Sequence, residues 1–265
     1  MNDPTKTPLY PVELDPTALG DPDPPSSMDI GPFVTLWTGR HWPFTCPIVA
    51  DVHAADWHGL SFVPRFGGAA GPYSPMEHMV RGVEIAEALG LPERVCLAFG
   101  VHDIPESYPP HDLLGPFVSY LRAGEAQRAD PDPTLWIRSM AEHAVWVKCG
   151  VLDVFRDPEL FALVHKLDVA MCAAEKRDLV RGWAGKPVPE WAPKERIVPW
   201  GAAEVRERYY RMLAKYAPAL AAEFGVPTIF CAGDDAYVKH VRETLGDVEC
   251  VETKKALGYT SVDTL

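Results

Sequence analysis

Apolar residues recur at helical spacing in three long stretches of the chain. In residues 74–89 the apolar positions fall about one helical turn apart, and Ser74 with Glu77 makes the S-x-x-E capping motif that marks a helix start. The same spacing recurs in residues 92–103 and in residues 158–182. This patterning predicts a mostly α-helical fold in which each long helix turns one apolar face towards a shared core.

Shorter patterns predict the elements between and after these helices. Two short apolar runs about a Thr38-Gly39 turn predict a small hairpin over residues 33–44. Further helices are predicted at residues 47–60, 112–123, 134–149 and 201–224. The tail is predicted to form a strand, a helix and a second strand in a β-α-β-like unit, at residues 227–232, 234–245 and 248–253.

Changes in composition divide the chain into three predicted parts. Residues 1–32 are rich in Pro and Asp, and we expect an extended arm there because proline fixes φ and lacks an N–H donor. Residues 33–224 hold the long amphipathic patterns and are predicted to form the main domain, and residues 225–265 a small appendage. The expected fold class is mostly α: a helical bundle with a small N-terminal hairpin and a short C-terminal α+β appendage.

The composition and charge limit the classes of partner. Hydrophobic residues make up 47% and charged residues 23% of the 265 residues, which is enough for one sizeable core. The net charge of −12 argues against stable nucleic-acid binding, because that binding depends on Lys and Arg neutralising phosphates. A small phosphorylated molecule is not excluded, since a bound metal and a few basic residues can reverse the charge inside one pocket.

The sequence also carries signals about the compartment. No run of about 18 apolar residues predicts a membrane span, and the N-terminus lacks the basic and apolar regions of a signal peptide. The six cysteines form no C-x-x-C pair, and Cys96, Cys149 and Cys172 fall in helical patterns, where we expect small buried hydrophobic side chains. We therefore expect a cytoplasmic protein with no membrane partner.

Residues of metal-binding type interrupt the apolar faces. His78 lies in the first turn of the first long helix, His102 and Asp103 end the second, and Asp168 lies in the middle of the third. A histidine on such a face is by default a packed core residue, but a buried carboxylate is unfavourable unless it meets a cation or hydrogen-bond donors. Imidazole and carboxylate together suit a borderline divalent metal, so these residues are candidate ligands.

Three motifs in this order resemble those of the HD-domain metal-dependent phosphohydrolases. The chain has R-F-G-G-x-x-x-x-Y-S-P-M-E-H ending at His78, H-D-I-P-E-S-Y beginning at His102, and D-V-A-M-C-A-A-E-K-R-D-L beginning at Asp168. The resemblance covers about residues 33–182. It is to the 5′-deoxynucleotidase branch and its bacteriophage relatives, which include dATP triphosphohydrolases. It implies that the bundle is of the HD-domain type.

The resemblance also implies roles for individual residues. It implies a divalent metal (Mn, Co, Zn, Mg or Fe) bound by His78, His102, Asp103 and Asp168. It further implies a catalytic acid/base at Glu106 and substrate contacts from Arg65, Phe66 and Asp112. The implied function is hydrolysis of deoxynucleotides, as a dNTP triphosphohydrolase or a 5′-deoxynucleotidase that adjusts the nucleotide pool. The expected partners are a nucleotide substrate and further copies of the chain in a homo-oligomer, a dimer or higher.

Two alternatives to that function stay open at this point. A non-catalytic HD domain would bind a nucleotide without cleaving it, but the chain retains Glu106 and every candidate ligand, which favours an enzyme. A signalling-nucleotide hydrolase is the second alternative. Within the enzyme class, monophosphate and triphosphate substrates are not distinguished. The aspartate expected after the H-D motif lies one residue later, at Asp112, and the expected lysine is replaced by G-P-F-V.

Overall fold

The computed structural model describes residues 33–43, 47–109, 115–125, 132–183, 187–223, 230–234, 249–256 and 262–264. Within them the protein is mostly helical, as predicted. The helices are α1 (Pro75–Ala88), α2 (Glu93–Val101), α3 (Gly115–Glu125), α4 (Pro133–Lys148), α5 (Leu152–Arg156), α6 (Pro158–Leu179), α7 (Ala202–Tyr216) and α8 (Pro218–Glu223). The strands are β1 (Phe33–Thr35), β2 (His41–Pro43), β3 (Phe230–Asp234), β4 (Glu249–Ala256) and β5 (Val262–Thr264).

The start and the end of α1 follow from its sequence. The Ser74 hydroxyl accepts a hydrogen bond from the N–H of Glu77 at 3.2 Å, and Pro75 occupies the first turn, where its missing N–H needs no partner. Gly90, at φ +68°, adopts the left-handed conformation that commonly follows a helix end. The cap places His78 one turn into a helix whose register is fixed from its first residue.

Helices α4 and α6 also begin with an N-cap residue followed by proline. Asp132 and Asp157 each precede a proline and accept backbone N–H groups from the first turn of α4 and of α6. The α6 cap is bidentate, with N–H groups of Glu159 and Leu160 at 2.8 and 3.1 Å from Asp157 Oδ1. These caps explain why three helices begin within a residue of their predicted starts.

Helices α1 and α2 pack closely because a glycine lies between them. The ring of Phe99 on α2 lies against Gly82 of α1 so closely that a methyl group at Gly82 would overlap it. Phe99 is fully buried, and its ring centroid lies 5.3 Å from that of His78 and 4.5 Å from that of His102. Helices α6 and α7 pack against the same pair, and all four helices contribute buried residues to the core.

The hairpin is confirmed, but the helix predicted at residues 47–60 is wrong. Strands β1 and β2 pair antiparallel, with Gly39 at φ +83° in the turn. In place of one α-helix the structure has two 3-10 helices, Val49–Asp51 and Ala54–Ser61. The carboxylate of Asp51 accepts the N–H of Ile48 at 2.8 Å, and such a local side-chain bond competes with the hydrogen-bond ladder of an α-helix.

The single helix predicted at residues 201–224 is also wrong, because it is two helices. Helix α7 ends at Tyr216 and α8 begins at Pro218. Proline disfavours the helical conformation of the residue before it, and Ala217 accordingly has φ −147° and ψ 66°.

The tail contains strands near the predicted positions. Strands β3 and β4 pair parallel, as a β-α-β unit requires, and β4 also pairs antiparallel with β5, a strand that the sequence pattern did not predict. The helix predicted at residues 234–245 lies outside the described residues, as does the arm at residues 1–32. The division into three parts therefore stays a prediction, and so does the HD-type label of the bundle. Among the described helices, none has the length and apolar character needed to cross a membrane.

Candidate metal centre

The structure brings the four predicted metal ligands together at one point between α1, the end of α2, and α6. His78 Nε2 lies 3.3 Å from Asp168 Oδ1 and 3.9 Å from Asp103 Oδ2. His102 Nε2 lies 3.1 Å from Asp103 Oδ1 and 3.9 Å from Asp168 Oδ1. One ligand-type atom from each of His78, His102 and Asp103 falls within 4.8 Å of the others. These separations suit four ligands that face one small cation.

The imidazole rings of His78 and His102 are each held in place by a contact at Nδ1. His102 Nδ1 lies 2.6 Å from the carbonyl oxygen of Phe99, and His78 Nδ1 lies 2.5 Å from Glu175 Oε1. Both contacts are to acceptors, so each Nδ1 carries the proton, and in the neutral ring Nε2 keeps its lone pair. Metal-binding histidines in proteins are typically oriented in this way by a carboxylate or a carbonyl group.

The donor set fits a divalent cation. Both Nε2 atoms are buried and make no hydrogen bond, although carboxylate oxygens lie 3.1–3.9 Å away. Buried polar atoms without a partner are uncommon in native proteins and indicate a missing ligand or ion. Two imidazole nitrogens with two carboxylates match the preferences of Zn²⁺, and Mn²⁺, Co²⁺ and Fe²⁺ accept the same mixed set. The residues present therefore fit a metal.

The neighbouring charges shift the pKa of His78 and of both candidate carboxylate ligands. Burial and Arg65 lower the pKa of His78, but Glu175 and Asp168 more than offset them and raise it to about 9. Burial raises the pKa of Asp168, but His78 and His102 bring it well below its usual range. Burial likewise raises the pKa of Asp103, and His102, Arg65 and His78 lower it below its usual value. A proton and a metal ion would compete for His78 Nε2, as they do at metal sites generally.

Arg65 forms part of this charge network. Its Nη1 donates to Asp103 Oδ2 at 2.7 Å, its Nε to Glu175 Oε2 at 3.2 Å, and its Nη2 to Cys172 Sγ at 3.3 Å. Only 11% of its side chain is exposed. Arg65 therefore joins Asp103, two residues beyond the end of α2, to α6. Its predicted contact with a substrate stays a prediction.

The other predicted site residues lie around this network. Glu106 is half-buried in a 3-10 turn, Ile104–Ser107, directly after Asp103, and it attracts the guanidinium groups of Arg65 and Arg138. Phe66 follows Arg65 with an unusual φ of 55°, and its ring lies 5.4 Å from both Arg65 Cζ and Lys176 Nζ. Asp112 lies outside the described residues. The roles expected of Glu106, Phe66 and Asp112 stay predictions.

Three residues at the centre were missed by the sequence analysis. Glu175 and Cys172 lie on α6, and the Cys172 thiol donates to Asp168 Oδ1 at 3.4 Å. Arg138 lies on α4. Burial lowers its pKa, but Glu142 and, more weakly, Glu106 and Asp103 raise it above its usual value. A signal for Glu175 was present, because a carboxylate on an apolar helix face seven residues after Asp168 needs a cation for the same reason that Asp168 does.

Comparison with known proteins corrects the predicted family. The sequence profile of Peptidase_M55, the D-aminopeptidase family, matches residues 214–265. No curated protein matches the sequence significantly. The candidate centre, at residues 65–175, lies outside the matched segment. The match contradicts the predicted HD-domain phosphohydrolase family and its 5′-deoxynucleotidase and phage dATP triphosphohydrolase branch.

The predicted function is corrected together with the family. On the same finding, hydrolysis of deoxynucleotide phosphate esters and a role in nucleotide metabolism are wrong. The match points instead to a hydrolase that acts on peptide bonds, so the coarser prediction of a hydrolase is retained. The predicted homo-oligomer stays a prediction.

Proposed function

We propose that this protein is a metal-dependent hydrolase whose divalent metal is bound by His78, His102, Asp103 and Asp168. One observation carries the proposal: two buried imidazole Nε2 atoms lie beside two carboxylates without a hydrogen bond, while the opposite ring nitrogens are both held by acceptors. His143 Nε2 also lacks a hydrogen bond, but it belongs to no cluster of ligand-type atoms among the described residues, so what marks His78 and His102 is that carboxylates face their free nitrogens.

We propose a peptide as the substrate, cleaved at the bond after an N-terminal D-amino acid. The support for this class is the D-aminopeptidase profile that matches residues 214–265. The net charge of −12 is compatible with it, because a free α-amino group is a cation that an acidic protein attracts.

The side chains at the centre suggest a catalytic role for each group. When bound, a divalent metal polarises the scissile carbonyl group and lowers the pKa of water. Glu106 would accept the proton of the attacking water and return it to the amine nitrogen that leaves when the C–N bond breaks. Arg65 keeps Asp103 in place through its 2.7 Å ion pair. In this scheme the centre would provide the metal ligands, Glu106 the proton transfer, and Arg65 the fixed position of Asp103.

The test is a metal-reconstitution assay on the full chain. Protein stripped with EDTA is reloaded with Zn²⁺, Mn²⁺ or Co²⁺, and release of p-nitroaniline is followed from D-alanine and L-alanine p-nitroanilides. We expect release only after reloading, with the D-substrate preferred, and a fall to background for His102→Ala. His143→Ala is the matched control, because His143 on α4 is a half-buried histidine whose buried Nε2 also makes no hydrogen bond and which lies outside the ligand cluster.

Two results would contradict the proposal in different ways. Full activity in the metal-free protein would exclude the metal centre as the catalytic site. Phosphate release from dATP, without p-nitroaniline release from either peptide substrate, would exclude the peptide as substrate class.

A further inference from the structure

We infer that Glu175 is a positioning residue that orients two of the four metal ligands at once, His78 directly and Asp103 through Arg65. The inference rests on the proposed metal centre, but it concerns a residue that the centre does not need as a ligand. It predicts that the metal affinity of the protein depends on a carboxylate that never touches the metal.

The contacts of Glu175 divide between its two oxygens. Oε1 lies 2.5 Å from His78 Nδ1, and Oε2 accepts from Arg65 Nε at 3.2 Å. The side chain is fully buried, so water does not compete for either oxygen. Burial raises the pKa of Glu175, but Arg65 and His78 together lower it below its usual value. The two contacts therefore hold an ionised carboxylate at the base of the centre.

Arg65 extends the effect of Glu175 to a second ligand. Its Nη1 donates to Asp103 Oδ2 at 2.7 Å, while the other carboxylate oxygen, Oδ1, faces His102 Nε2 at 3.1 Å. The guanidinium is planar and rigid, so fixing its Nε at Glu175 also fixes the direction of Nη1. One carboxylate on α6 thereby sets the position of ligands that come from α1 and from the end of α2.

The physical effect on the metal has two components. The contact to Nδ1 fixes the rotation and the tautomer of the His78 ring, so that Nε2 faces Asp168 at 3.3 Å. A carboxylate partner also raises the basicity of the imidazole, which strengthens its bond to a metal. Loss of such an outer partner typically lowers metal affinity by about 10- to 100-fold.

The experiment measures Zn²⁺ affinity directly, by competition with a chromophoric chelator, on the full-length chain. We expect the dissociation constant of Glu175→Ala to rise by about 10- to 100-fold. Glu175→Gln should show a smaller rise, because its amide oxygen can still accept from His78 Nδ1. Circular dichroism of each metal-free variant checks that the helices have formed before the affinity is compared.

Asp178→Asn is the matched control on the same helix. Asp178 is a nearly buried carboxylate that also pairs with an arginine, Arg177, and accepts the N–H of Ile197 at 2.8 Å. It makes as many polar contacts as Glu175 but none to a candidate ligand. We expect its Zn²⁺ affinity to stay within about twofold of wild type, whatever happens to its stability.

A second measurement on the wild type guards against a variant that fails to fold. In ¹⁵N spectra of the Zn²⁺-loaded protein, His78 should carry its proton on Nδ1 and bind Zn²⁺ through Nε2. Binding through Nδ1, or an affinity of Glu175→Ala within twofold of wild type, would overturn the inference and leave the metal centre standing. A wild type that does not bind Zn²⁺ at all would overturn both.

Discussion

Two fully buried glutamates in this protein meet arginines in very different surroundings. Glu77 and Glu175 both have no exposed surface. Burial raises the pKa of Glu77 to about 7, because Arg81 and the N–H of Trp200 only partly offset it. At Glu175 the effect of burial on the pKa is overcome by Arg65 and His78, which lower it below its usual value.

The polar groups around Glu77 are satisfied within the protein. Its carboxylate accepts from Arg81 Nε at 2.8 Å and from the N–H of Trp200 at 3.1 Å. The Arg81 guanidinium also donates to the carbonyl of Val198 and lies 3.7 Å from the centroid of a Trp200 ring. This cluster attaches the segment before α7 to the start of α1, and it needs nothing from outside.

The polar groups around Glu175 are not satisfied in the same way. Two imidazole nitrogens lack a hydrogen bond there, and the carboxylates of Asp103 and Asp168 face them. The difference teaches that burial of charge alone does not mark a site, because both clusters bury charge. What distinguishes the candidate centre is a set of ligand-type atoms that the rest of the protein leaves without partners.

The largest effect is expected at the cluster around Glu175, where two imidazole nitrogens lack a hydrogen bond. Asp103→Ala removes a carboxylate ligand and the partner of Arg65, so we expect Zn²⁺ binding and hydrolytic activity to fall to background. Thermal stability should become independent of added Zn²⁺, because an ion that no longer binds the native state cannot stabilise it. Calorimetric titration and a melting curve with and without Zn²⁺ measure both. An Asp103→Ala protein that retains stoichiometric Zn²⁺ would remove this residue from the ligand set.

The next effect separates chemistry from binding within the same cluster. Glu106→Gln should lower kcat by about 10²–10⁴-fold, the usual range for a lost general acid/base, while Zn²⁺ affinity stays near that of wild type. Steady-state kinetics on the D-alanine substrate, with the competition assay for Zn²⁺, checks both quantities. A kcat within a few-fold of wild type would mean that another group moves the proton.

A smaller effect is expected at the satisfied cluster. Glu77→Ala leaves Arg81 and the Trp200 N–H without their shared acceptor, so we expect the free energy of unfolding to fall by about 2–4 kcal/mol. Zn²⁺ affinity should stay within about threefold of wild type, because Glu77 contacts no candidate ligand. Urea unfolding of the metal-free protein measures the first. A large loss of Zn²⁺ affinity at unchanged stability would reverse the comparison between the two clusters.

The smallest effect is expected where an ion pair is exposed. Arg211 and Glu207 form an (i, i+4) pair on α7 with side chains 77% and 63% exposed. Arg211→Ala should change the free energy of unfolding by less than about 0.5 kcal/mol, since water screens such pairs and holding two long side chains opposes them. The same urea experiment tests it. A change as large as that of Glu77→Ala would mean that burial does not control the strength of these pairs.

The sequence predicted the parts of the structure that depend on local signals. The capping motif at Ser74 and Glu77 located the start of α1, and apolar periodicity identified faces whose polar exceptions, such as His78 and Asp168, meet in the folded chain. The break before Pro218 was also readable locally, since proline restricts the preceding residue, but the apolar pattern alone overlooked it.

The parts that escaped prediction depend on which faces meet. Glu175 contacts His78 across nearly a hundred residues of chain, and the attraction of Arg138 to Glu106 arises only when α4 packs beside the turn after α2. No spacing within one helix encodes either contact. The family assignment failed for another reason: short motifs at matching separations resembled one family, whereas the profile match falls in the C-terminal segment.

The distribution of the proposed metal ligands along the chain has a consequence for folding kinetics. They come from α1, from the end of α2 and from α6, so an ion that needs all four can bind only after α6 has packed against the first two helices. The unfolded chain offers no comparable site. If the transition state for folding precedes the packing of α6, a bound metal would lower the unfolding rate and leave the folding rate unchanged. The ion would then set the lifetime of the native state and have no effect on how fast it forms.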